Sequence, residues 1–269
     1  MVRSSLVAIV LVALAAPACS KTKETPKDLA PAASALDAPL PASPNGVPLA
    51  VESAGSSLTF LMDSPLEKLD GDAPGSVSGE LSVDLDDLTK STALVKVDLD
   101  KLVLYQQKRA DEQNDYSERK KSDKQNEHAR DWLQIVPREG EVTPEQAAMN
   151  RIAEFRIDKV ETQTPNVRSL SGAERKVLAV ISGDFRLHGR KARQTANVEL
   201  LFRFAGDKLE SVAVKTTQPM PVNLEQYEIN PRDGAGKFVK TITDAVSGSL
   251  KGKLQKEAPV TIAFTAKPK

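Results

Sequence analysis

Cysteine and histidine are nearly absent from this chain of 269 residues: there is one of the first and two of the second. A single thiol excludes a disulfide framework and any thiolate-rich metal site. His128 and His188 are too far apart in sequence for ligand spacing and read as surface or strand-edge residues. Aromatic residues make up only 4%, which leaves no ladder for stacking single-stranded bases. Neither sign of charge prevails, with 37 basic residues against 37 acidic, so no global field recruits nucleic acid. Nucleophile elbow, P-loop and dinucleotide fingerprint are all missing. The carboxylates of Asp84 and Asp86 fall on the polar side of an alternating run and read as solvation of a wet strand face, with Asp87 at the strand end. The sequence therefore calls for no enzyme activity, no metal and no cofactor.

What the chain does have is alternation. In Val177–Phe204, Ile181, Phe185 and Leu187 alternate with Ser182, Asp184, Arg186 and His188. Beyond the turn at Gly189–Arg193, Ala196, Val198, Leu200, Phe202 and Phe204 alternate with polar residues. A period of two means strand, with one dry and one wet face, and the short polar turn makes the pair an antiparallel hairpin. A lone hairpin cannot bury its apolar face, so further strands must cover it.

The other alternating runs are Leu58–Met62, Val77–Leu85, Val95–Asp100, Ala153–Asp158, Leu209–Thr216 and Val260–Thr265. Pro65 and the cluster Asp70–Gly75 read as turns, and Pro219, Pro221 and Pro231 as a loop. Tyr105–Val136 is charged throughout and reads as a solvated helix or ragged loop, docked by Trp132 and Leu133. Phe238–Leu254 carries apolar residues at helical spacing and reads as a short amphipathic helix. About eight two-faced antiparallel strands satisfy either a sandwich or a closed barrel. An eight-stranded barrel is filled by side chains or holds one small ligand. Gly79 and Gly183 on the apolar faces mark either barrel corners or room beside the backbone. A membrane-spanning barrel would need aromatic girdles, and the strand ends carry Asp, Lys and Ser instead.

The N-terminus reads as targeting sequence. Arg3 precedes the apolar run Leu6–Ala16, too short to span a bilayer, and small residues Ala16-Pro17-Ala18 lead into Cys19. This resembles a bacterial lipobox, although Ala16 and Pro17 depart from the usual residues. The resemblance implies a signal peptide over 1–18, lipidation of Cys19 and a membrane anchor. Ser20 stands where an inner-membrane retention signal carries Asp, so an outer-membrane anchor facing the periplasm is expected. Ser20–Pro48, rich in Pro, Ala and Ser, reads as a disordered tether, and folding is expected to begin at Leu49 and run to 269.

Gly183-Asp184-Phe185-Arg186-Leu187-His188-Gly189 resembles the G-x-L-T-x-H-G turn of the YceI family, and Ala153-Glu154-Phe155 resembles its A-x-F strand. The segment Glu127–Ile135 resembles its charged helix end, and Tyr227-Glu228-Ile229 echoes its F-G-I. The likeness covers Ser57 to Ala266; it departs at Arg186, where Thr is usual, in the more basic turn after Gly189, and in the long insertion at 105–150. It implies a mainly β, eight-stranded antiparallel lipocalin-like barrel with one or two helices, and an apolar tunnel for a polyisoprenoid or similar long lipid.

Phe60, Met62, Phe155, Phe185, Leu187, Phe202, Phe204 and Phe264 are core residues in a filled barrel and line the pocket in a hollow one. Arg190, Lys191 and Arg193 crowd one turn and are candidates for an anionic head group, beside the plainer reading of a solvated hairpin tip. Two functions stay open: an envelope lipid carrier, or a filled barrel whose charged insertion is a protein contact surface.

Overall fold

The computed structural model describes residues 29–41, 43–63, 65–229 and 257–269. In chain order the strands are β1 (Gly46–Asp63), β2 (Glu67–Asp72), β3 (Val77–Asp84), β4 (Thr92–Asp98), β5 (Val103–Lys108) and β6 (Lys120–Lys121). Two helices follow, α1 (Asp123–Trp132) and α2 (Pro144–Asn150). Then come β7 (Ile152–Thr162), β8 (Glu174–Leu187), β9 (Arg190–Ala205), β10 (Lys208–Thr216), β11 (Met220–Asn223) and β12 (Glu257–Pro268). Cys19 and the helix expected at Phe238–Leu254 lie outside the described residues.

Eight of these strands close a barrel in the order β12-β10-β9-β8-β7-β4-β3-β1, with β12 pairing back onto β1. Every pairing is antiparallel. Closure removes the free edges that would otherwise template aggregation. The hairpin read from the sequence is the longest pair, with β8 and β9 in register from Glu174↔Arg203 to Leu187↔Arg190.

The barrel is extended at one end. β1 shifts register between Glu52 and Ser57; its first half pairs with β3 and its second half with β2. β2 continues to β5 and β6, and β11 pairs with the opposite edge of β12. These added strands correct the sequence reading of Asp70–Gly75 as a turn and of the proline-marked segment as a loop. Their residues alternate poorly: only Leu69 of EKLDGD is a buried apolar side chain, and Pro221 lies in the short edge strand β11. α1 seals the extension. Ser122 caps its N-terminus by accepting from Gln125 N–H, and its apolar side, Ala129, Trp132 and Leu133, faces inward. α2 opens with a capping box between Thr143 and Gln146.

Gly79 and Gly183 are corners. A Cβ on Gly183 would lie 1.9 Å from the Arg156 carbonyl oxygen, and one on Gly79 would lie 2.1 Å from that of Leu94. The backbones touch there, so each glycine makes room for the next strand and not for a ligand.

The described part of the supposed tether is not free. Residues 29–41 run across the outside of the barrel from β9 to β4, and the backbone then enters β1 at Gly46, ahead of the expected start at Leu49. Ala33 N–H donates to the Gly189 carbonyl at 2.8 Å, and Lys191 N–H donates to that of Pro31 at 2.9 Å. Arg156 donates to the carbonyls of Leu36, Ala38 and Pro39, and Arg190 to that of Ala30. Beneath this strap Arg186 and Glu154, 1% and 2% exposed, form an ion pair at 3.2 Å. Both polar ends have further partners. Arg186 also donates to the carbonyls of Ala33, Ile152 and Met149, while Glu154 also accepts from Leu36 N–H and pairs with Lys96.

Candidate functional site

The inward faces of the barrel strands do not fill it. They surround a cavity of about 230 Å³ whose wall is hydrocarbon almost throughout. Strict alternation brings this about, since every second residue of each strand points inward. β1 contributes Leu58, Phe60 and Met62, β4 contributes Ala93, Val95 and Val97, and β12 contributes Ala258, Val260, Ile262 and Phe264. The lining reaches from Ala258 of β12 to Val212 of β10, which is level with Ala266. That is eight residues of strand, about 27 Å along the strand path and about 20 Å along the barrel axis at the usual tilt. The space is therefore long and narrow.

Seven of the eight residues expected in the pocket line it: Phe60, Met62, Phe155, Phe185, Leu187, Phe202 and Phe264. Phe155 and Phe185 stand opposite each other across β7 and β8 and meet edge to face, with centroids 6.1 Å apart. Phe185 in turn meets the Tyr227 ring at 5.6 Å. Phe204 is the exception. It shares a face with Phe202 but lies one pleat beyond the cavity, buried in the core with the Arg175 guanidinium 4.0 Å from its ring centroid.

The sequence missed the lining from the extension. Leu69 of β2, Leu102, Leu104 of β5, and Ala129, Trp132 and Leu133 of the α1 region all border the cavity. The helical spacing of Ala129, Trp132 and Leu133 is the signal for this that the sequence contains. The insertion at 105–150 thus supplies part of the wall. The Trp132 indole N–H is buried without a hydrogen-bond partner.

Arg190, Lys191 and Arg193, the candidates for an anionic head group, are not among the residues that line the cavity. Arg190 pairs with Glu228 at 2.7 Å and Lys191 with Asp184 at 2.9 Å. Arg193 grips both oxygens of Asp158 at 2.6 and 2.8 Å and holds its carboxyl below the usual carboxylate range. Each cation is already matched to a carboxylate on a neighbouring element. Asp84 is likewise not solvating a wet face: it is buried and accepts from the Ser43 hydroxyl and from the N–H groups of Asp86 and Asp87. The Ser43 hydrogen bond leads in lowering its pKa.

His188 occupies the left-handed region at φ 51° in the β8–β9 turn, with Nδ1 2.9 Å from the Tyr227 carbonyl oxygen. Burial pushes its pKa down. Its contacts hold the turn to the Leu224–Tyr227 3-10 turn, a structural task. Among the described residues no group of three or more His, Cys, Asp or Glu side chains is placed to hold a metal ion.

No family model matches the chain, and no curated protein does. Solved structures do. A polyisoprenoid binding domain from Saccharophagus degradans implicated in plant cell wall breakdown is 14% identical, covering 83% of this chain and 99% of its own, with a TM-score of 0.50. BcnA from Burkholderia cenocepacia is also 14% identical, covering 80% of this chain and 98% of its own, with a TM-score of 0.43. The first of these likenesses is one of fold, running over nearly the whole length of the Saccharophagus domain. Closed by eight antiparallel strands, with two helices among the described residues, the chain has the lipocalin-like barrel fold of YceI-type proteins.

Proposed function

We propose that this protein is a non-catalytic lipoprotein of the bacterial envelope that binds or sequesters a polyisoprenoid or similar long apolar lipid inside its barrel. One observation carries the reading: a long cavity walled by hydrocarbon, with charged side chains kept on the outer surface in ion pairs. Such a space offers a chain burial and little else. At about 0.8 kcal/mol per buried CH₂, ten carbons contribute about 8 kcal/mol before the cost of ordering the chain, so burial of the chain is the main source of affinity. The Saccharophagus protein of the same fold is a polyisoprenoid binding domain, which supports the same ligand class here.

The second half of the proposal is the anchor. Cys19 is acylated, holds the protein in the outer membrane and leaves the barrel in the periplasm. The support is the targeting pattern of the first residues and the solitary cysteine at its end. A filled barrel acting only through its surface does not fit the hollow interior.

The test is a titration of purified, delipidated protein with a medium-length polyprenol, followed through Trp132, the one tryptophan of the chain, which borders the cavity. Saturable binding at one equivalent supports the reading. No change in emission together with no retention of the polyprenol on gel filtration would refute it.

A further inference from the structure

The strap ties the chain that leads to the N-terminus to one end of the barrel. If residues 19–45 were a free linker, they would span up to about 95 Å extended and would leave either end of the barrel able to approach the attachment point. The structure shortens that linker. Ala30 is buried among Leu187, Val222, Tyr227 and Ile229 at the end of the barrel that carries the β8–β9 turn. Its N–H donates to the Gln226 carbonyl at 2.9 Å, and its own carbonyl accepts from Arg190 at 2.7 Å. From there the strap is held in place step by step by Arg186, Glu154, Arg156 and Lys96. Only the stretch from Cys19 to Leu29 is left to reach from the anchor to the barrel, about 35 Å at full extension. β9, which runs from that end to the other, has sixteen residues, about 50 Å along its path and about 40 Å along the barrel axis at the usual strand tilt.

A second observation marks the same end. Val136 and Met149 are two of the four exposed large apolar side chains among the described residues. Both lie beside the β8–β9 turn: the Met149 carbonyl accepts from Arg186, and the Asn150 amide donates to the carbonyl of Gln134, two residues before Val136. The cavity reaches this end as well, where Trp132, Leu133, Leu187 and Ile229 line it.

We propose that this end is the membrane-docking face, with Val136 and Met149 resting in the bilayer interface, and that the strap exists to aim the cavity at the lipid it draws from. The proposal rests on the reading of Cys19 as an acylated anchor.

The experiment uses the full acylated chain in vesicles of phosphatidylethanolamine and phosphatidylglycerol with a nitroxide on a fraction of the head groups. Acylated Cys19 has no free thiol, so Met149→Cys and Asp207→Cys, at opposite ends of β9, each accept one fluorophore. Quenching severalfold stronger at position 149 than at position 207 is expected. Combining Arg156→Ala with Arg190→Ala frees the strap and should bring the two values together. Equal quenching in the parent chain, or stronger quenching at 207, would overturn the orientation while leaving the anchor intact. Intact mass showing no diacylglyceryl group on Cys19 would overturn both.

Discussion

Glu154→Ala is the sharpest perturbation the structure offers. Its carboxylate is 2% exposed and neutralises Arg186, itself 1% exposed, at 3.2 Å. It also pairs with Lys96 at 3.2 Å and accepts from the Leu36 N–H at 2.9 Å. Removing one partner of a buried pair leaves an uncompensated charge, which typically costs about 3–5 kcal/mol. Arg186 keeps three carbonyl acceptors, in Ala33, Ile152 and Met149, which places the expected loss near the lower end, at about 3 kcal/mol. For a domain of this size that is a fall in Tm of about 6–12 °C. Part of the loss belongs to the strap, whose Leu36 N–H is orphaned, so residues 29–41 should become the first site of proteolysis. Replacing both members, Glu154→Leu with Arg186→Met, removes the stranded charge. It should recover most of the barrel stability in a double-mutant cycle while the strap stays protease-sensitive. Urea unfolding of the parent, of Glu154→Ala, of Glu154→Leu and Arg186→Met singly, and of the two together reads all of this. A Glu154→Ala variant within about 0.5 kcal/mol of the parent would refute the reasoning, since that is the range of ordinary surface substitutions.

Three further outcomes follow from the same geometry. Ala196→Phe pushes a ring into the cavity from β9; the barrel should fold with a loss of about 1–3 kcal/mol, and polyprenol retention should be abolished. Gly183→Ala should fail to give soluble folded protein, because its methyl would overlap the Arg156 carbonyl, whereas Gly206→Ala, in open space at φ +60°, should cost only about 1–2 kcal/mol by urea melt. His188 has its folded pKa below the ordinary 6.5, so the unfolded chain binds the proton more readily; stability is whole above pH 6.5 and declines as pH falls through the folded value. Melts between pH 7.5 and 5 should show that decline, and His188→Gln should flatten it.

The barrel was readable where the chain alternates cleanly, as in β3, β4, β7 and the β8–β9 hairpin, because a period of two fixes both the element and its buried face. Short polar strands such as β2 and β6 were not readable, since their stability comes from pairing with a neighbour and not from their own pattern. Arg190, Lys191 and Arg193 looked unmatched because their partners are set by register: Arg193 faces Asp184 directly across the hairpin and reaches Asp158 on the next strand. A slip of one residue would have changed every such pair. The strap escaped notice for a different reason. Its proline and alanine side chains carry no signal, and what holds it are its backbone carbonyls, read by arginines distant in sequence. Arg186, noted as a departure from the usual Thr, was the one visible hint. Phe204 shows the remaining limit: alternation tells which face a residue is on, and not how far along the barrel the cavity extends.

The proposed function requires a hollow barrel that holds a long apolar chain. Native mass spectrometry of protein taken from its own envelope, without stripping of lipid, asks this directly. A species heavier than the acylated polypeptide by the mass of a single solvent-extractable isoprenoid or comparable lipid is the expected result. Acylated polypeptide alone, unchanged in mass by solvent extraction and by incubation with excess polyprenol, would contradict it.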